Sequence, residues 1–207
     1  CYNGLREDCF NRTYFEAWKS GRTGYPMIDA CMRFLTATGW LNFRMRALLI
    51  SFSSQHLWLH WREPSVHLAG LFTDYEPGIH YSQAQMQSGT TGINTIRIYN
   101  PIKQGLDQDP KGRFVRQWIP ELKDIDQEFI HTPWLSPNRP KGYPPPIVDE
   151  KTSRQMASKK LYAVKGKPEH KEIAREVYVK HGSRKGRQTI KRNPIRPKNK
   201  LQGELNF

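Results

Sequence analysis

Apolar positions in the first third of the chain recur at helical spacing. Phe10, Tyr14 and Trp18 follow at four-residue steps, which marks one face of a helix. Gly21-Arg22-Thr23-Gly24 breaks it. Pro26 suits the first turn of a second helix, and Asp29 lies near that helix's positive end. Met27, Ala30, Cys31 and Phe34 carry the helix on to a stop at Gly39. Leu41, Met45, Leu48, Leu49 and Phe52 then form a full core stripe on a third helix. Phe43, Arg46 and Ile50 share a second face, so this helix is expected to be mostly buried. Arg46 on such a face needs a fixed anion, because an unpaired buried charge is costly. Leu57, Trp58 and Trp61 extend the pattern towards Pro64, and a shorter helix is expected over about Val66–Phe72.

Beyond Asp74 the texture changes. Asp74-Tyr75-Glu76-Pro77-Gly78 reads as a turn with two acids, and Ile79–Ser88 as one short helix. Gly89–Pro110 is rich in Gly, Asn, Pro and Gln and reads as ordered loop. Phe114–Trp118 is a short helix stopped by Pro120, and His131–Pro146 is Pro-rich and irregular. Residues 151–164 and 168–181 are expected to be two exposed basic helices. No segment alternates at strand period, and no internal repeat is visible. The fold class is all-α.

Charge divides the chain. Over its 207 residues the formal net charge is +14. Residues 1–150 hold 16 Lys/Arg against 15 Asp/Glu, while residues 151–207 hold 17 against 4. All six Trp precede Leu135. The expected organisation is a nearly neutral globular part (1–150), a basic helical extension (151–182) and a basic tail (183–207) too poor in apolar residues to order alone. The tail offers either a solvated charge run or non-specific phosphate binding.

Several classes fall away. The longest mainly apolar run, around Ala47–Phe52, is too short to span a bilayer, and no secretory signal opens the chain. Cys1, Cys9 and Cys31 have neither metal spacing nor an even count, which argues for a reduced, intracellular setting, cytoplasmic or nucleoid/nuclear. His56 and His60 lie four apart without a third ligand, so they read as structural. No Ser-His-Asp spacing or Gly-rich phosphate loop is present.

Four blocks then stand in register. Gly21-Arg22-Thr23-Gly24-Tyr25-Pro26-Met27-Ile28-Asp29-Ala30-Cys31-Met32-Arg33 is the first, and Thr38-Gly39-Trp40 with Arg44-Met45-Arg46 the second. Arg97-Ile98-Tyr99-Asn100-Pro101 and Phe114-Val115-Arg116-Gln117-Trp118-Ile119-Pro120-Glu121-Leu122 complete the set. Together they resemble the photolyase/cryptochrome flavoproteins across about residues 14–125. The resemblance implies the second half of a helical FAD-binding domain. The antenna domain, the loop around the FAD phosphates and an upstream Trp/Arg-rich helix have no counterpart here, so a partial chain that does not retain FAD by itself is expected.

By the same resemblance, Arg46 sits beside the flavin ring and Asp74 is its acidic partner, a buried ion pair that would tune the cofactor. Trp40 lies on the cofactor side, and Tyr75, Glu76 and His80 occupy the cofactor-contacting turn. Phe43 stands where relatives usually present Asn against the ring, and it can neither donate nor accept a hydrogen bond. Asn42 is one residue away, about 100° round a helix, so it is expected not to substitute. Glu76 replaces a usual Asp and His80 a usual Asn. Ala84 falls at the flavin-proximal Trp of the usual electron-transfer chain, Asp8 near the outer one, and Trp61 at the middle one, with Trp18, Trp58 or Tyr residues as other candidate carriers. On the DNA side, Arg44 matches an arginine on the lesion strand, and Met86 replaces a Trp that stacks on a flipped dimer.

The implied function is light-driven repair of pyrimidine dimers in DNA by electron transfer from reduced FAD. The alternatives are a non-enzymatic blue-light receptor of cryptochrome type and a helical remnant inactive alone. The resemblance leaves lesion type and antenna pigment open.

Overall fold

The computed structural model describes Tyr2, residues 4–7 and residues 10–182, and all regular structure in them is helical. The expectations for Cys1, Asp8, Cys9 and the tail 183–207 lie outside the described residues.

The first helix, α1 (Arg12–Lys19), starts where the Asn11 side chain accepts from Tyr14 N–H. It buries Phe15 and Trp18. Phe10 precedes the helix, so the four-residue stripe read from Phe10, Tyr14 and Trp18 is displaced onto Phe15 and Trp18. Helix α2 (Pro26–Thr38) runs as the Pro and Gly signals predict and ends on Gly39, whose left-handed φ of 73° closes the last turn onto Leu35 C=O.

The turn before α2 organises a distant part of the chain. Asp29 is fully buried and accepts from Thr23 N–H (2.8 Å), Thr23 Oγ1 (2.7 Å), Gly24 N–H (2.9 Å) and the Tyr143 hydroxyl (2.5 Å). Burial pushes its carboxyl up to about 6, against the pull of those four donors. Ile147 N–H donates to Thr23 C=O and the Tyr25 hydroxyl to Val148 C=O. A Cβ on Gly24 would stand 2.3 Å from Pro145 O, so the Pro-rich strap can lie this close only over glycine. One turn further along, Arg33 makes a two-pronged ion pair with Glu121 (2.8 and 3.0 Å), which joins α2 to the Pro120–Leu122 turn.

Helix α3 (Phe43–Ser51) is capped by Asn42 and passes without a break into one π-helical turn, Phe52–His56, whose polar side chains are all buried. The predicted continuation through Leu57 and Trp61 to Pro64 is not a helix. Trp58 has φ 54°, and Pro64 lies inside the first turn of α4 (Arg62–Ala69), where its missing N–H costs nothing. Helix α5 is Pro77–Gln87, and Glu76 caps it by accepting from Gly78 and Ile79 N–H. The segment read as loop over Gly89–Pro110 contains α6 (Pro101–Gln108), capped by Asn100; the Asn-Pro start signal outweighs the Gly- and Gln-rich composition. Helix α7 is Arg113–Trp118.

Of the two C-terminal helices, α8 (Glu150–Lys165) is not simply exposed. It buries Ser153, Ala157 and Leu161 at helical spacing and packs against the π-helical turn. Helix α9 (Pro168–His181) buries only His170. His56, in that turn, stacks on Phe52 with neither ring nitrogen hydrogen-bonded among the described residues. Burial lowers its pKa to about 4, although Glu150 nearby pulls upward and Arg154 adds to the lowering. A pKa depressed from 6.5 means that the unfolded chain binds the proton first, so stability is lost as pH falls from 6.5 towards 4. His56→Phe keeps the stack and removes this loss. Chemical denaturation should show wild type losing about 3 kcal/mol more than the variant over that interval.

Candidate functional site

A cavity of about 400 Å³ opens between α3, the end of α2, the 71–76 turn and α5. Its wall includes all seven positions the sequence nominated for the cofactor: Trp40, Phe43, Arg46, Asp74, Tyr75, Glu76 and His80. The local fold explains the convergence. Gly39 turns the chain out of α2, and Thr73 N–H pairs with Gly39 C=O (2.9 Å), so the Trp40 and Asp74 stretches are held side by side. Leu68 and Phe72 close the apolar floor.

Arg46 and Asp74 form a salt bridge of 2.8 Å, and the guanidinium also lies 4.0 Å from the Phe72 ring centroid. Arg46 Nη2 donates to both Asp74 carboxylate oxygens, and that hydrogen bond holds the carboxyl below the usual carboxylate range. The pair is not buried, contrary to the expectation. The side chains are 26% and 50% exposed, because the second apolar face of α3 is a cavity wall and not a core contact. Phe43, 61% exposed, stands on that same wall.

Asn42 also corrects the sequence reading. As the extended N-cap (φ −67°, ψ 159°) it is outside the helix, so the rotation argument does not apply, and it lines the cavity beside Phe43. Its amide oxygen accepts from Met45 N–H, which leaves its NH2 as a donor. His80 donates Nε2–H to Ser65 C=O (2.8 Å), since a carbonyl can only accept. Burial lowers its pKa, which favours the neutral ring, and with the hydrogen on Nε2 the other nitrogen, Nδ1, is an acceptor. Sequence reasoning passed over Gln83 and Gln87, which also line the cavity; Gln83 Oε1 is buried and finds no donor among the described residues. Their spacing from His80 on α5 was the available signal.

The remaining nominated residues lie elsewhere. Arg44 is exposed in the first turn of α3 and Met86 half-buried on α5, and neither lines this cavity. Trp18 is fully buried, with Phe15 and His67 as ring neighbours. Trp61 is half-buried, with its ring centroid 6.4 Å from that of Tyr81. Ala84 lines the cavity and puts no ring there.

These residues suit the ring end of a flavin better than a whole dinucleotide. The volume lies low in the range of roughly 300–1,000 Å³ typical of small-molecule sites. The walls are mainly aromatic and aliphatic, and Gln83 Oε1 awaits an N–H. Arg46 is the single cation among the lining residues, against Asp74 and Glu76, so no cradle for a diphosphate is built here. Among the described residues no helix is long and apolar enough to cross a membrane.

A family model described as the FAD binding domain of DNA photolyase matches residues 2–163. The deoxyribodipyrimidine photo-lyase of Escherichia coli is 36% identical over 149 residues, 70% of this chain and 32% of that protein. Cryptochrome-2 of Arabidopsis thaliana is 37% identical over 158 residues, 71% of this chain and 26% of that protein. An archaeal photolyase from Sulfolobus tokodaii, solved with two FAD molecules, superposes with a TM-score of 0.73 at 37% identity, covering 78% of this chain and 37% of that one. The chain thus spans about a third or less of the relatives' own length. FAD is the cofactor of the domain family matched, and the chain belongs to the photolyase/cryptochrome family through that FAD-binding domain.

Proposed function

We propose that this chain supplies the flavin-ring pocket of a light-driven DNA repair protein acting on pyrimidine dimers. The observation that carries the reading is the convergence of Trp40, Phe43, Arg46, Asp74, Tyr75, Glu76 and His80 on one cavity whose lone cation is already paired. Reduced FAD, when bound, supplies the electron that splits the dimer after light absorption. The chain's own residues orient the ring and keep it dry. Arg46, fixed by Asp74, donates to an electron-rich ring edge. Trp40, Phe43, Tyr75 and Ile79 form an exposed apolar rim that a bound ring and lesion would cover. Exposed Arg44, next to that rim in sequence, is assigned to a DNA phosphate in this reading, which its exposure supports. A receptor reading draws on Phe43 and Ala84, which remove a hydrogen-bonding group and a ring from the wall.

Binding to a duplex with one thymine dimer, compared with the intact duplex, separates the two. Repair requires preference for the dimer and its light-dependent loss in the presence of reduced FAD; equal affinity and no dimer loss would support the receptor. The tail is assigned a separate job, sequence-independent phosphate affinity. Deleting 183–207 removes eight Lys/Arg and one Glu. The salt slope of binding to intact duplex should flatten by about 0.9 for each phosphate that the tail neutralises, with dimer preference unchanged. Identical slopes would show a tail that touches nothing.

A further inference from the structure

Among the described residues, only two that are not glycine have left-handed backbone, Arg6 (φ 69°) and Trp58 (φ 54°), and they touch. The Arg6 guanidinium lies 4.3 Å from the Trp58 ring centroid. Trp58 stands directly after the π-helical turn, at the left-handed closing position where glycine is usual. Such strain persists only where the surroundings hold it. Arg6 itself is 3% exposed, and no carboxylate pairs with it among the described residues. Burial lowers its pKa to about 10, so at neutral pH it is a buried cation without an anion. Its counter-charge is the end of a helix. Arg6 Nη1–H donates to Ser88 C=O (3.1 Å) and Nη2–H to Gln55 Oε1 (2.8 Å). Gln55 Nε2–H donates in turn to Ser88 C=O (2.9 Å) and Gln87 C=O (3.4 Å). These carbonyls close α5, where no partner inside the helix is available and the negative end of the dipole favours a cation. Helix α5 carries His80, Gln83 and Gln87 of the cavity wall, and α3, which runs on into Gln55, carries Phe43 and Arg46 of the facing wall.

We propose that Arg6 is a positioning residue of the cavity: through Gln55 and the Ser88 carbonyl it locks the end of α5 against the helix that carries Arg46, and so sets the spacing of the two walls. That the ring between those walls is a flavin rests on the reading given above. Without the guanidinium, Gln55 Oε1 loses its donor and the Ser88 carbonyl keeps one donor of two. The last turn of α5 then frays towards water, and Gln87 and Gln83 lose their fixed place on the wall. The effect is local, because α2 is held at its own start by Asp29. A lysine at position 6 keeps the charge but cannot hold both acceptors in one plane, so it restores the lock only in part.

The lock can be tested without flavin. The amides of Ser88, Gly89 and Thr90 close onto Ala84, Met86 and Gln85 carbonyls, and that of Gly39 onto Leu35 C=O at the end of α2. Hydrogen exchange followed by NMR on the 207-residue chain reads both ends at once. In Arg6→Met the three α5 amides should exchange about tenfold faster or more, with Gly39 within about twofold of wild type. Equal acceleration at both ends, the mark of a merely structural role, would overturn the proposal, as would no acceleration at either. Should Arg6→Met not fold, Gln55→Leu carries the same comparison, since it cuts the link between Arg6 and Gln87. The wall is then read by riboflavin titration. Affinity should fall about tenfold in Arg6→Met and in Gln55→Leu, partly recover in Arg6→Lys, and fall little further in the double variant, because the two side chains act as a unit. Faster α5 exchange with unchanged riboflavin affinity in both single variants would overturn the positioning role. If α5 exchange depends on Arg6 but riboflavin fluorescence is unaltered by the wild-type chain, the lock stands and the flavin reading fails.

Discussion

Asp29→Ala should lower the stability of the chain by about 3–5 kcal/mol at neutral pH, read as a fall in the urea midpoint at unchanged slope. The loss has identifiable parts. Thr23 N–H and Gly24 N–H are buried donors whose acceptor disappears, and each such orphan costs about 1–3 kcal/mol. The Tyr143 hydroxyl loses its acceptor in a site shut off from water. The damage extends beyond the turn, because Tyr143 anchors the strap whose Ile147 and Val148 pair with Thr23 and Tyr25. Tyr143→Phe should cost less, about 1–2 kcal/mol, since it removes one donor and leaves the other three satisfied. A loss under about 1 kcal/mol for Asp29→Ala would mean that the turn holds its shape without the carboxylate.

Arg46→Ala should weaken binding of a flavin ring about tenfold or more while costing little stability. The substitution removes the cavity's lone cation together with the Asp74 pair and the Phe72 contact. Asp74 is half exposed, so the solvated carboxylate left behind is not a stranded buried charge. Asp74→Ala should therefore cost about 1 kcal/mol or less, not the roughly 3–5 kcal/mol of a buried pair. Its effect on the ring should still be clear, because Arg46 loses the group that aims it. Arg46→Lys should recover only part of the affinity, since an ammonium lacks the planar fork. Equal ring affinity in wild type, Arg46→Ala and Asp74→Ala would remove this pair from the binding site.

Helix identity and the cavity wall were legible in the sequence for different reasons. Pro26 and Gly39 bracket α2 by backbone chemistry alone, so its ends fall where the sequence puts them. Arg46 on an apolar face pointed to an anion, and Asp74 is there. Its exposure was not legible, because periodicity cannot distinguish a face packed on core from one lining a cavity. Phe43 and Ile50 look alike in sequence, yet one is largely exposed and the other buried. The π-helical turn was hidden because Phe52–His56 continues a helical pattern; its extra residue shows only when Leu57 N–H closes onto Phe52 C=O. Helix α6 was missed by weighting Gly and Gln over the Asn100-Pro101 cap. The Arg33–Glu121 and Asp29–Tyr143 ties join segments about ninety to over a hundred residues apart, which no local pattern reveals.

The central claim is that this chain holds the flavin ring but not the diphosphate. Fluorescence titration of the 207-residue chain with riboflavin and with FAD tests it directly. The account predicts quenching by both ligands, with dissociation constants within about threefold of each other, under 1 kcal/mol apart. FAD bound tighter by about a hundredfold or more would reveal a diphosphate cradle in the chain, and no quenching by either ligand would contradict the assignment of the cavity.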